Sequence, residues 1–436
     1  MGPANVAWLV LLSAVYVSGL WAAATRCYST FYQSLMFEFD LKYGDVSWIN
    51  GLFQGGYGLG NLLFPIIYKY VTFRIGVMTS AIVSSTAIFV SSFAVTIWQI
   101  HVCCGLVTGF CIAGSIIGLY GEVTRCFKKN REIVYQVVCT GTSLGGFIFC
   151  PLFQLLINVY HWRGALWIIS GIYFQLAAGG AILGLTSTST EKSNPHQSAV
   201  TEVIEQELNH DIATKEIKNE TQGGKTTLIS HLYDKWDLKL FLRADLYLYV
   251  LGWFTFSLSF YLALLFMIPY GSKIGLTDIQ ASSLASAVGF GELGSRVFYS
   301  VVMKKCPHTY RYVFLSIIVA TTSIPFFSLV ALKSYPVLLT IFVVVGVMGG
   351  GVDAVYNNLL IDIFGVSMYP SAYGYANVIS YPMGMLGTVT LGHVIDLYGS
   401  ETIAFIIGGC SLLLSSGFVL IMNQRIKKLQ LLNTAE

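Results

Sequence analysis

The sequence predicts an all-α membrane protein of twelve transmembrane helices in two six-helix bundles. Three observations carry that prediction. Of the 436 residues, 55% are hydrophobic and only 11% are charged, with a mean hydropathy of +0.67, whereas a soluble domain carries about 25% charged residues. The charge is also unevenly placed, with nine acids and seven bases crowded between Ser187 and Arg243. On either side of that stretch lie six apolar runs of roughly 20 residues, the length a helix needs to cross a bilayer.

The first run, 5–26, ends near Ala22-Ala23-Ala24 and resembles a signal peptide. It lacks a basic leading region and fits a regular set of spans, so it is read as span one. Spans two to six follow at 46–68, 75–95, 98–121, 133–159 and 163–186, with the basic turn Lys128-Lys129-Asn130-Arg131 before span five. Residues 187–243 have too little apolar material for a core and read as a cytosolic linker. Spans seven to twelve fall at 244–268, 279–303, 312–332, 335–361, 371–396 and 402–423, with a cytosolic tail at 424–436. The division is therefore a bundle over 1–186, the linker 187–243, a second bundle over 244–423, and the tail. Barrel strands are excluded, because the runs are too long and do not alternate.

An even number of spans leaves both termini on one side. Placing them in the cytosol puts twelve basic residues inside, among them Arg74, Arg125, Lys304 and Arg425, against Lys42, Arg163, Lys273 and Lys333 outside. That asymmetry follows the positive-inside rule. The net charge of +3 is too small to imply a nucleic-acid partner. The nine cysteines lie mostly within apolar runs and read as packing residues rather than a disulfide framework. No cysteine or histidine spacing suits a metal, no cofactor is implied, and no nucleophile–base set suggests an enzyme.

The two halves carry a faint repeat. Leu156-Ile157-Asn158-Val159-Tyr160 ends span five and Val394-Ile395-Asp396-Leu397-Tyr398 ends span eleven; the spacing that aligns them also sets Gly146 on Gly384. Parallel six-helix halves with substrate bound between them are the architecture of major facilitator transporters.

An ionisable group inside a span costs at least ~2.5–3.5 kcal/mol on insertion scales, so it needs a reason. Glu292 and Arg296 stand in span eight, four residues apart and on one helix face. Gly289, Ala285 and Ser282 continue that face, which suits the border of a cavity. Arg26 ends span one, either as a snorkelling residue at the outer interface or as a second cation for an anion. Asp353 follows Gly349-Gly350-Gly351 in span ten and either titrates or pairs with a neighbouring donor. Arginine grips a carboxylate through a fixed bidentate fork, so Arg296 and Arg26 are the expected substrate-binding residues for a small organic anion. Glu292 and Asp353 are the expected proton-coupling groups. An acid beside Arg296 competes with substrate for it, and protonating that acid frees the arginine.

Several stretches resemble the monocarboxylate-transporter family of the major facilitator superfamily. They are Asp45-Val46-Ser47-Trp48-Ile49 opening span two, Trp162-Arg163-Gly164-Ala165 opening span six, and Pro269-Tyr270 with Gly275-Leu276 after span seven. Phe127, Lys129, Arg131 and Gly141 fit the family signature before span five, while Cys126 and Gln136 depart from it. The acidic, glycine-rich motif of span one is reduced to Ala7-Trp8. The resemblance implies alternating-access transport of monocarboxylates, with an acid–arginine pair on span eight and a lysine late in span one handling proton and carboxylate. Glu292, Arg296 and Arg26 hold those places here, and an arginine cannot release a proton as a lysine can. The resemblance also implies a plasma-membrane location and, as partner, a single-span glycoprotein chaperone. Two other readings stay open: an uncoupled facilitator of aromatic amino acids or other larger organic acids, and a non-transporting receptor on the same fold.

Overall fold

A computed structural model describes residues 3–68, 70–127, 131–183, 240, 243–305 and 308–433. The basic residues Lys69, Lys128 and Lys129 and nearly all of the 187–243 linker lie outside the described residues.

The described chain is helical throughout and makes twelve passes. Helix α1 runs Pro3–Arg26 and does not stop there. A 3-10 segment at Cys27–Phe31 and a helix at Tyr32–Phe39 carry the same rod onward, so Arg26 lies within the pass rather than at its end. Next come α2 (Tyr43–Ile67), α3 (Phe73–Ser91) and α4, which joins Ile97–Ile100 to Thr108–Cys126 through a π-helical turn. The element Arg131–Phe174 bends at His161, which separates α5 from α6; α6 continues over 176–183.

The second half holds α7 (Ala244–Lys273), α8 (Asp278–Lys305), α9 (His308–Ser328) and α12 (Thr402–Asn433). Between α9 and α12, α10 comprises Tyr335–Gly349 and the first limb of Val352–Tyr398; that element bends at Gly365, and α11 is its second limb. Under the weak sequence repeat, which sets Tyr160 on Tyr398, His161 falls on Gly399. Both residues turn the chain with a left-handed φ, 57° and 67°. The two halves thus reverse direction at the same place in the repeat.

Among the described residues, eight helical segments are long and apolar enough to cross a membrane by length and composition. Helices α2 and α8 are not among them, because glycines and polar residues dilute their apolar content. Both line the contact between the bundles, where their polar residues are solvated by protein rather than lipid.

At the end of the molecule away from the termini, α2 and α11 meet at backbone distance. A Cβ on Gly392 would stand 2.5 Å from Ser47 Oγ and 3.0 Å from the Gly44 Cα, so only glycine permits the approach. The first turn of α2 leaves unpaired N–H groups, as every helix start does. Asp396, near the end of α11, takes two of them: its oxygens accept from the amides of Tyr43 (2.9 Å) and Gly44 (2.7 Å). A carboxylate from one bundle thereby caps a helix of the other, where the macrodipole favours negative charge.

Candidate functional site

Helix α8 places Glu292 close to its midpoint, about 20 Å from either end at ~1.5 Å rise per residue. Glu292 is 1% exposed, Arg296 5% and Arg26 3%. A charge this deep is tolerated only when paired and hydrogen-bonded, and the partner comes from the other bundle. Arg26 on α1 meets the carboxylate with both ends of its fork: Nη2 to Oε1 at 2.9 Å and Nη1 to Oε2 at 3.0 Å.

The sequence spacing favours Glu292 with Arg296, but that separation is 3.9 Å, at the limit of an ion pair. The two are joined instead through α5. Arg296 Nε donates to Ser143 Oγ (3.0 Å), and Ser143 Oγ donates to Glu292 Oε2 (3.0 Å). Arg296 Nη2 also donates to Thr142 Oγ1 at 2.8 Å. Four side chains from both bundles, Arg26, Ser143, Glu292 and Arg296, form one buried polar chain.

The local sequence explains how the helices come close enough. A Cβ on Gly289 would lie 2.7 Å from Ser143 O, which brings α8 against α5. A Cβ on Gly146 would lie 3.1 Å from Arg26 Nη1, so this glycine leaves room for the guanidinium. After Arg26, hydroxyls satisfy the carbonyls freed at the helix end: Ser29 Oγ donates to Arg26 O (2.9 Å) and Thr30 Oγ1 to Cys27 O (2.6 Å). Cys27 is joined to Cys150 of α5 by a disulfide with a Cα–Cα distance of 4.7 Å, which corrects the reading of this pair as packing residues. On the C-terminal side, the Phe260 ring of α7 lies 5.8 Å from Arg26 Cζ, within cation–π range.

The fold therefore brings Arg26, Glu292 and Arg296 into contact. Of the two readings of Arg26, the snorkelling one is removed, because the helix continues beyond it and buries it. Asp353 lies on α10, and its side chain is outside the described residues. Thr142, Ser143 and Phe260 were not singled out in the sequence. The first two directly follow Gly141, the last family-signature residue, and polar residues after a glycine inside a span are the signal that marks them.

A family model described as "Major Facilitator Superfamily" matches residues 10–388. Monocarboxylate transporter 12 of Homo sapiens is 24% identical over 428 residues, covering 97% of this chain and 82% of that protein. Monocarboxylate transporter 13 of Rattus norvegicus is 24% identical, with coverage of 95% and 88%. Monocarboxylate transporter 2 of Meriones unguiculatus is 21% identical, with coverage of 95% and 84%. Among solved structures, a POT family transporter in complex with 5-aminolevulinic acid superposes with a TM-score of 0.68 at 12% identity, covering 96% of each chain.

Proposed function

The chain belongs to the major facilitator superfamily, and we propose that it carries monocarboxylates across the plasma membrane by alternating access, with both termini in the cytosol. The observation that carries this reading is the bidentate Arg26–Glu292 pair, buried where the two bundles meet. The fork that holds the glutamate is the fork that would hold a substrate carboxylate. Substrate and Glu292 therefore compete for Arg26, while Arg296 supplies the second cation from the opposite bundle.

Proton coupling follows from the same competition. Neutralising Glu292 removes its charge from Arg26 and leaves the guanidinium for the incoming anion, so acid on the substrate side favours loading. Arg26 itself stays charged, which leaves Glu292 and Asp353 as the groups to carry the proton. The single-span chaperone is an expectation from the similarity to monocarboxylate transporters alone. A second reading, an uncoupled facilitator of aromatic amino acids or larger organic acids, is favoured by arginine rather than lysine at position 26.

An uptake panel in oocytes with lactate, pyruvate, tryptophan and a thyroid hormone, run at two external pH values, separates these readings. A monocarboxylate carrier takes up lactate or pyruvate, faster at the lower pH if coupled. Arg296→Ala is expected to cut that uptake at least 100-fold at equal surface expression. No uptake of any carboxylate by the wild type overturns the proposal, and ligand-dependent signalling without flux supports a receptor instead.

A further inference from the structure

A cleft bounded by α2, α7 and α11 is lined by Gln54, Trp253, Phe254, Ser257, Tyr381 and Thr388, among others. Gln54 is 3% exposed, and its Oε1 has no hydrogen-bond partner. Burying an amide oxygen unpaired costs ~1–3 kcal/mol, so such an atom inside a cleft points to a ligand group that satisfies it.

Two hydroxyls of the cleft have spent their donors. Ser380 Oγ donates to Ala376 O (2.7 Å), and Thr388 Oγ1 donates to Met385 O (2.9 Å). What both hydroxyls still offer is lone pairs, as does Gln54 Oε1. Aromatic rings flank these acceptors: Trp253 sits 5.3 Å from Tyr356, and Tyr381 4.9 Å from Tyr57.

Helix α7 connects this cleft to the charged site. Phe260, beneath the Arg26 guanidinium, shares a helix face with Ser257 and Trp253, which lie ~4.5 and ~10 Å further along the axis. We infer that the cleft is a second subsite of the transport site, accepting an N–H or O–H donor on a flat apolar body whose carboxylate lies at Arg26 and Arg296. The inference rests on the carboxylate reading and narrows it. The favoured substrate is an organic acid whose donor stands several ångströms from the carboxylate, rather than lactate, whose hydroxyl is adjacent to it.

The test compares uptake of para-hydroxyphenylpropionate with uptake of phenylpropionate, which differ in the distant hydroxyl alone. Wild type is expected to favour the hydroxylated acid by about five- to tenfold, the worth of one hydrogen bond. Gln54→Leu brings that ratio close to one by lowering uptake of the hydroxylated acid. Should this variant not reach the surface, Gly384→Val serves, because a Cβ at Gly384 meets no atom within 4 Å and the added methyls fill the cleft. It is expected to lower uptake of both aryl acids more than that of pyruvate. A wild-type ratio near one, a ratio unmoved by Gln54→Leu, or aryl and pyruvate uptake reduced alike by Gly384→Val overturns the subsite. Lactate or pyruvate uptake with neither aryl acid carried also overturns it, leaving the carboxylate reading intact. If the wild type takes up no carboxylate at all, the carboxylate reading fails and the subsite with it.

Discussion

The seam between α8 and the helices α1 and α5 joins the same two bundles as the seam between α2 and α11, but from opposite materials. The first is built from side-chain charges and hydroxyls near mid-membrane: Arg26, Glu292, Ser143 and Arg296. The second is built from backbone, with Gly44 and Gly392 in close approach and Asp396 capping α2. On the proposed reading the charged seam is exchangeable, with an entering carboxylate replacing Glu292 on Arg26. The difference suggests a division of labour, with one seam sensing substrate and proton and the other setting how readily the far end opens.

Substitutions that separate those roles should differ in kind as well as size. The largest effect is expected from Glu292→Gln. Removing one partner of a buried ion pair costs ~3–5 kcal/mol, and the neutral amide holds Arg26 less firmly. Uptake in this variant should lose its stimulation by external acid, as read from a pH series of uptake. Retained acid stimulation would assign proton coupling elsewhere, with Asp353 the next group to test.

A smaller effect, on conformation rather than on protons, is expected from Gly392→Val. Its Cβ meets the α2 backbone, and overpacking of this kind costs ~1–3 kcal/mol. The far end should open more often, which an impermeant thiol reagent would detect as several-fold faster labelling of a cysteine at position 47. The pH response of uptake should keep its shape. A changed pH response would show that the seams are not separate devices.

The smallest effect is expected from Asp396→Asn, which keeps one acceptor for the α2 amides but loses the charge. Helix-end interactions of this kind are worth ~0.3–1 kcal/mol, up to ~2 in partly buried settings. The same labelling assay should show a shift in the same direction as Gly392→Val, about twofold to fivefold. No shift would reduce Asp396 to a passive cap.

The comparison also marks where the sequence stopped being legible. The charges of helix α8 are legible because the four-residue spacing of Glu292 and Arg296 puts both on one helix face. Span one was drawn too short, because its apolar run stops at Arg26 while the helix does not. Cys27–Phe31 are all buried, and packing against the rest of the bundle keeps that polar stretch helical. The same cause hid the pairing. Spacing along one helix recommends Arg296 for Glu292, and no local rule announces an arginine 266 residues away.

By itself the sequence determined the number of passes and the identity of the charges that lipid could not tolerate. Those follow from the cost of exposing polar groups to hydrocarbon, which is felt residue by residue. Only the tertiary structure decided which charges meet, that Ser143 links them, and that Gln54, with an unpartnered amide oxygen, lines a cleft. Such choices depend on glycines that let particular helices approach, and on hydrogen-bond geometry a few tenths of an ångström wide between residues distant in the chain.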